Sequence, residues 1–503
     1  MNKNIMNHFA MIIFGASGDL TKRKLIPALY TLYKEQRLTG NFSILGVSRT
    51  KYDDQSFQTY MWEEMQHFIK KELQDEHLMQ EFVTHLHYLP MDPAKDEGYE
   101  RLKEKLVTLT KTNHPDNLLY YLSTPPSLYG EIPKHLKAAK LNTKGSRIIV
   151  EKPFGYSLES AQALNAIYAS AFKEQQVYRI DHFLGKETAQ NILAFRFANG
   201  IFEPLWNRNY VNYVEVTAVE NLGIENRGGY YDSSGALRDM VQNHLIQLVA
   251  LTAMEPPLYF DENNFRNEVV KVYNSLKPLT KVDFDEHVVR GQYTVSGDKK
   301  GYREEKNIAP GSRTETYIAM RLNIDNWRWS GVPFYIRTGK QMPTKVTEIV
   351  VHFKETPHQM FTRTDGTHPR PNKLILRIQP NEGMVLNIGM KVPGAGFDVK
   401  EVSMYFTYDQ LGGAPVMDAY ARLIDDCIQG DPTLFTRSDA VEASWRFFDP
   451  ILKYWNETLE APLYGYPAGT WGPLESDKLM SDHAAEWTNP CKNLTNTDLY
   501  CEL

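Results

Sequence analysis

Between residues 179 and 187 the chain reads RIDHFLGKE, which gathers Arg179, Asp181, His182, Lys186 and Glu187 within nine residues at a strand-loop-helix junction. Cations, carboxylates and an imidazole at this density suit a phosphorylated, hydroxylated ligand. Metal binding is the rival reading. None of the 14 histidines stands in H-x-x-x-H or H-E-x-x-H spacing, and lysine is a poor ligand, so no metal is expected. A second intrusion lies in GALRDMVQNHLIQLVAL (235–251). There Leu237, Val241, His244 and Leu248 share one α-helical face by the i, i+4, i+7, i+11 rule, and His244 interrupts the apolar stripe. It reads as a satisfied core histidine, the commoner circumstance, or as a general base, partly desolvated and oriented by a carboxylate.

A third signal is GASGDLTKRKL (15–25). Gly15 and Gly18 permit a tight turn and close backbone approach, and the helix beginning near Asp19 offers amides and a dipole to a pyrophosphate. The G-x-G-x-x-G fingerprint is imperfect, because Ser17 and Leu20 stand where it has glycine. Lys22, Arg23 and Lys24 oppose the helix dipole, which makes sense if an anion sits there; a solvated basic face is the alternative. After the second strand come Ser48, Arg49 and Thr50, where a NAD site carries an acid for the ribose 2'-hydroxyl. Arg49, with Ser17 in reach, can instead bind a 2'-phosphate, so NADP is preferred, with NAD as the weaker alternative.

These residues need a scaffold. Up to about residue 180, short apolar runs at 10–14, 43–47, 85–89, 117–123, 146–150 and 175–180 alternate with stretches of helical length. This is the pattern of an α/β doubly wound, Rossmann-type domain with a parallel sheet. Ligands bind beyond the carboxyl ends of such strands. There the chain places Gly15 to Gly18, Arg49, Asp92 and Pro93, Thr124-Pro125-Pro126, Glu151-Lys152-Pro153 and Asp181-His182 in turn. Beyond residue 200, runs at 210–220, 314–324, 332–339, 346–353, 373–380 and 383–392 follow one another mostly without helices, which predicts a large, mainly antiparallel sheet. With helices expected at 235–254, 418–429 and 438–455 on one face, the second domain is α+β. The expected division is 1–181 for the NADP-binding domain and 182–503 for a substrate and dimerisation domain. From about Glu460 the sequence reads as an irregular strap rich in Pro, Gly and Trp.

The 503 residues are 42% hydrophobic and 23% charged, which excludes wholesale disorder. A net charge of -6 argues against a nucleic-acid or anionic-membrane binder. Cys427, Cys491 and Cys501 form no C-x-x-C pair and no disulfide framework. The apolar run at Phe9–Phe14 is too short for a signal-peptide core or a membrane span, so a cytoplasmic protein is expected.

Taken together, GASGDLTKRKL, EKPFG (151–155), RIDHFLGKE, RGGYYDSSGALRDMVQNHL (227–245), VPFYIRTGK (332–340), RIQPNE (377–382), DAYARLIDDC (418–427) and YPAGTWGP (466–473) resemble the glucose-6-phosphate dehydrogenase family, in order and over nearly the whole chain. The resemblance implies oxidation of β-D-glucose 6-phosphate to 6-phospho-D-glucono-1,5-lactone with hydride transfer to NADP. It implies His244 as the base and Asp181 as the group that orients it and stabilises its imidazolium. His182 and Lys186 would hold the sugar phosphate, and Glu220, Asp239, Lys340, Lys345 and Gln379 would contact the sugar or its phosphate. Lys152 would lie between cofactor and substrate, its bond to Pro153 a candidate cis peptide. The cofactor set is Gly15, Ser17, Gly18, Asp19, Leu20, Arg49, Asp92, Pro93 and Lys152. α-Helical phase does not predict Asp239, five residues from His244. A homodimer or dimer of dimers, formed through the second sheet, is also implied.

The family usually has Tyr where this chain has Phe183, so a hydroxyl for the phosphate is missing. Two other functions compete: a catalytically silent NADP-binding regulator, and another two-domain NADP-dependent sugar oxidoreductase. The intact set Asp181, His182, Lys186 and His244 opposes the first, and RIDHFLGKE the second.

Overall fold

The computed structural model describes residues 8–38, 41–112, 116–361, 368–394, 396–411, 417–481 and 485–490. The chain divides into two compact units. One comprises Met1–Glu187 with Leu258–Arg266 and Val416–Glu442; the other comprises Thr188–Pro257, Asn267–Pro415 and Ala443–Leu503. The sequence pattern predicts a single cut after residue 181; the first unit also includes two later segments.

In the first unit, β1 (Phe9–Phe14), β2 (Phe42–Ser48), β3 (Leu86–Pro90), β4 (Leu118–Leu122), β5 (Arg147–Val150) and β6 (Val177–Arg179) form one sheet in the order β3-β2-β1-β4-β5-β6. Every pairing is parallel. β1, β4, β5 and β6 are buried along their full length, as strands covered on both faces must be. The strand order reverses between β1 and β4, and the loops at that switch point border the ligand crevice of such sheets.

One expected helix changes place. Ala419–Gln429, read as part of the second domain, packs in the first unit on the helix Ile26–Lys34. Arg37 Nη1 donates to Asp425 Oδ2 at 2.7 Å, and Arg147 donates to the carbonyls of Cys427 and Ile428. Its apolar positions Ala421, Ile424 and Ile428 define a face to bury, but periodicity does not say which layer that face covers.

The second unit is built on nine strands: β7 (Val211–Val219), β8 (Val288–Thr294), β9 (Tyr317–Asn323), β10 (Pro333–Gly339), β11 (Val346–Phe353), β12 (Lys373–Gln379), β13 (Gly383–Lys391), β14 (Val399–Thr407) and β15 (Tyr464–Pro467). Their order is β14-β13-β12-β11-β7-β10-β9-β8-β15. Only β10 with β7 and β15 with β8 run parallel, so the sheet is mainly antiparallel as expected. β8, β14 and β15 were not read from the sequence. VVRGQYT and YGYP carry Gly, Arg or Pro where a strand pattern wants apolar side chains, and VKEVSMYFT is exposed over most of its length.

The C-terminal strap is tied to this sheet. Thr488 donates to Glu215 from its backbone N–H and its hydroxyl, at 2.9 and 2.7 Å. The buried Arg337 guanidinium lies over the rings of Trp471 and Trp487 at 4.8 and 4.5 Å and donates to Asn489 Oδ1 at 2.9 Å. Cys427 is a buried free thiol; Cys491 and Cys501 lie outside the described residues.

Candidate functional site

The first unit gathers the candidate cofactor residues where its strands end. Gly15 has φ +88°, and a Cβ there would meet the Ser123 carbonyl oxygen at 1.9 Å, so neither the turn nor the approach of β4 tolerates a side chain. At Gly18 a Cβ would meet only the Gly15 oxygen, at 3.1 Å, which leaves the outside of the turn open to a phosphate. The helix starts at Asp19, with Leu20 in its first turn. Ser17 Oγ lies 2.9 Å from Ser48 Oγ and accepts from Thr50 Oγ1 at 3.0 Å, so the glycine turn is knitted to the end of β2. Arg49 stands exposed in that seam and makes no ion pair among the described residues. The two acids that follow are engaged elsewhere. Asp53 caps the next helix through Ser56, and Asp54 holds Lys105 at 2.8 Å and the Tyr88 N–H at 2.8 Å.

The basic run is partly paired within the fold. Lys22 pairs with Glu64 at 3.2 Å and Asp19 at 3.6 Å, and Arg23 with Asp19 at 3.6 Å and the Phe68 ring at 5.0 Å. Two of the three cations thus already have counter-charges in the fold. Asp92 Oδ1 accepts the Ala94 N–H at 3.1 Å, and the Pro93 carbonyl accepts the Tyr99 hydroxyl at 2.8 Å, which fixes the loop after β3.

Beyond β5 and β6 the same rim carries Lys152, Asp181, His182 and Lys186. The Lys152–Pro153 bond is cis. Asp181 is 3% exposed, and its Oδ1 accepts the Phe183 N–H at 2.9 Å, so its own loop orients the carboxylate. Lys186 Nζ lies 4.5 Å above the Phe183 ring, and the His182 ring packs beside it at 5.2 Å between centroids. Phe183 therefore forms an apolar floor beneath the cation expected to hold phosphate.

In the second unit the topology brings four candidates to one end of the nine-stranded sheet. Glu220 follows β7 and Lys340 follows β10, its parallel neighbour; Lys345 precedes antiparallel β11, whose Val346 pairs with Val219; Gln379 ends β12 opposite Thr347. Lys340 is buried, ion-paired through Nζ with Glu220, and placed 5.5 Å above the Tyr231 ring. Lys345 is exposed, and Gln379 Nε2 donates to Thr347 Oγ1 at 3.0 Å.

The segment expected as a regular α-helix is a π-helix over Leu237–Leu245, continued by the α-helix Ile246–Ala253, and it packs on β7 and β10. Its i→i+5 bonding closes with the Ile246 N–H on the Val241 carbonyl. In that register residues five apart come round close to one full turn, so Asp239 approaches the face of His244 that α-helical phase denies it. Both are buried, His244 at 1% exposure. Leu237, Val241, His244 and Leu248 are all buried as the stripe requires, but Asp239, Gln242 and Leu245 of the π-helical turns are buried with them.

Three neighbours of these residues, Tyr231, Glu315 and Tyr121, were not singled out from the sequence, and Glu151 was placed on the rim without a partner. Tyr231 underlies Lys340, and its hydroxyl is pushed far up by burial and by the nearby charges of Asp239 and Glu315. Glu315 meets the start of the π-helix, and Glu151 and Tyr121 pair at the end of the parallel sheet. The paired tyrosines of RGGYYD and the E of EKP were available signals; nothing in the sequence marks Glu315 or Tyr121.

A 3-2-1-4-5-6 parallel sheet with an open glycine turn at its first strand defines a nicotinamide-dinucleotide-binding fold. Residues 12–191 match the family model for the glucose-6-phosphate dehydrogenase NAD binding domain, and 193–488 that for its C-terminal domain. The chain belongs to the glucose-6-phosphate dehydrogenase family. It is 53% identical to glucose-6-phosphate 1-dehydrogenase of Aggregatibacter actinomycetemcomitans, over 95% of this chain and 97% of that one. With the Treponema pallidum enzyme of the same name it shares 46% identity, over 98% and 97%. Among solved structures, a glucose-6-phosphate dehydrogenase in complex with its substrate glucose-6-phosphate superposes with a TM-score of 0.88 at 35% identity, covering 97% of this chain and 100% of the other.

Proposed function

We propose that the protein oxidises β-D-glucose 6-phosphate to 6-phospho-D-glucono-1,5-lactone with hydride transfer to NADP, the first step of the oxidative pentose phosphate pathway. The observation that carries this reading is the convergence of Glu220, Lys340, Lys345 and Gln379 on one sheet end, against which the helix of Asp239 and His244 packs. It unites a base, cations for phosphate and carboxylates for hydroxyls. When bound, the oxidised nicotinamide supplies the hydride acceptor. His244 removes the proton of the anomeric hydroxyl as hydride departs, and Asp181 orients that imidazole and stabilises its cation. Lys186 and His182 anchor the phosphate, so that binding energy remote from the reacting carbon fixes its geometry. Lys152 would stand between cofactor and sugar.

Arg49 selects NADP over NAD: it is exposed beside the hydroxyls of Ser17 and Thr50, while Asp53 and Asp54 are occupied. Gly15, Ser17, Gly18, Asp19, Leu20, Asp92, Pro93 and Lys152 complete the nucleotide contacts. The protein assembles as a homodimer or dimer of dimers through β13 and β14, where Met390, Val402, Met404 and Tyr405 are exposed. It works in the cytosol; among the described residues no helix is long and apolar enough to cross a membrane. NADPH formation with glucose 6-phosphate, beside unphosphorylated glucose and with NAD in a parallel series, tests the reading. It fails if glucose 6-phosphate gives no NADPH.

A further inference from the structure

Glu151 follows directly on β5, and its Oε1 accepts the hydroxyl of Tyr121, a wholly buried residue of β4, at 2.5 Å. The parallel register explains the meeting. Tyr121 pairs with Ile149, so Glu151 stands two residues on, on the same face of the sheet. The Tyr129 hydroxyl closes the far side of this corner by donating to the Lys152 carbonyl at 3.4 Å. The charged and titratable groups that face the pair are Lys152 on the same loop, Asp181 after β6, Tyr129, and Tyr420 with Asp418 at the start of Ala419–Gln429. No step assigned above uses Glu151 or Tyr121.

Burial pushes the Glu151 carboxyl group up to about 7. The Tyr121 hydrogen bond and the Lys152 charge oppose that rise, and the negative charge of Asp181 adds to it. We propose that Glu151 is a positioning residue for the oxidation: held by Tyr121, it braces the Lys152 corner and sets the charge that stands beside Lys152. Once Glu151 ionises, its negative charge beside Lys152 weakens the attraction of that ammonium for an anionic sugar. The inference rests on the function proposed above, in which Lys152 and Asp181 serve the substrate site.

The test compares the parent with Glu151→Gln and Tyr121→Phe on glucose 6-phosphate and NADP from about pH 6 to about pH 9. The substrate phosphate titrates identically in all three and cancels. In the parent, KM for the sugar phosphate rises above neutrality by about three- to tenfold more than in Glu151→Gln, while kcat changes less. Tyr121→Phe removes a bond that favours the anion and moves the rise to higher pH. Infrared difference spectra of the same proteins without substrate follow the proton directly: a protonated-carboxyl band is lost across neutrality in the parent and is missing in Glu151→Gln. Superimposable KM profiles for parent and Glu151→Gln, or no such band, would overturn the proposal. If Glu151→Gln does not fold, the parent's band and the displaced profile of Tyr121→Phe decide it. A parent inactive on glucose 6-phosphate refutes the functional reading instead, and that result appears before any variant is compared.

Discussion

The Glu315 carboxylate accepts the backbone N–H of Leu237, first residue of the π-helix, at 3.0 Å, and the Glu315 carbonyl accepts the N–H of Ala236. The segment before β9 thereby holds the entry to the helix that carries Asp239 and His244. The chain turns into it at Gly235, with φ +70° and ψ 169°, a conformation open essentially to glycine. A Cβ on Gly235 would sit 2.4 Å from Glu315 Oε1.

Gly235→Ala therefore meets backbone strain and a collision with the capping carboxylate together. A loss of about 2 to 4 kcal/mol in stability is expected from strain plus a displaced cap. Glu315→Ala should cost about 1 to 3 kcal/mol by leaving the buried Leu237 N–H unpaired, while the backbone carbonyl of residue 315 still accepts from Ala236. Denaturant unfolding checks both, and an undiminished midpoint for Gly235→Ala would refute this account of the helix entry.

His244→Asn should preserve fold and substrate binding while lowering kcat by about 10²- to 10⁴-fold, the usual scale for removal of a general base. Circular dichroism and a binding titration establish that the variant is intact. Turnover within threefold of the parent would remove His244 from the role.

Arg49→Ala should raise KM for NADP by about 10- to 150-fold and leave KM for NAD nearly unchanged, because the lost charge-assisted contact of about 1.5 to 3 kcal/mol exists only with a 2'-phosphate. Equal weakening toward both cofactors would transfer the selection to other residues; Lys24 is the candidate, since Lys22 and Arg23 already have partners.

Phe183→Tyr adds a hydroxyl in the plane of a ring whose face already carries Lys186 Nζ, so the ammonium need not move. A net hydrogen bond of about 0.5 to 1.5 kcal/mol predicts a few-fold lower KM for glucose 6-phosphate at nearly constant kcat, the mark of uniform binding. Unphosphorylated glucose should gain nothing. Equal gains on both sugars would show that residue 183 does not face the phosphate.

Glu215 supplies a pH dependence of stability. Burial raises its pKa, but the His352 hydrogen bond at 2.6 Å and the charges of His352 and Arg337 outweigh that and hold it below the usual carboxylate value. A depressed folded-state pKa stabilises the fold above the unfolded value of about 4.3, and the contribution disappears as pH falls through the folded pKa. Glu215→Gln should thus flatten the acid limb of the stability curve and loosen the strap held through Thr488. An acid limb parallel to the parent's would rule this pair out as its source.

Both architectures and the chemical inventory are legible in the order of the residues alone. Hydrophobic period separates a buried parallel sheet from an antiparallel one, and the residues after each strand of the first sheet lie on one rim because parallel strands all end there. The residue order also marked the glycine turn, Arg49, RIDHFLGKE and His244, whose types are unusual for their local pattern. Where Ala419–Gln429 packs emerges from the folded chain, since an amphipathic face names no partner. Folding alone brought Glu220, Lys340, Lys345 and Gln379 to one sheet end, because strand order and direction rest on long-range pairing. The π-helical register that relates Asp239 to His244 was equally hidden, because a local pattern read at 3.6 residues per turn contains no trace of i→i+5 bonding.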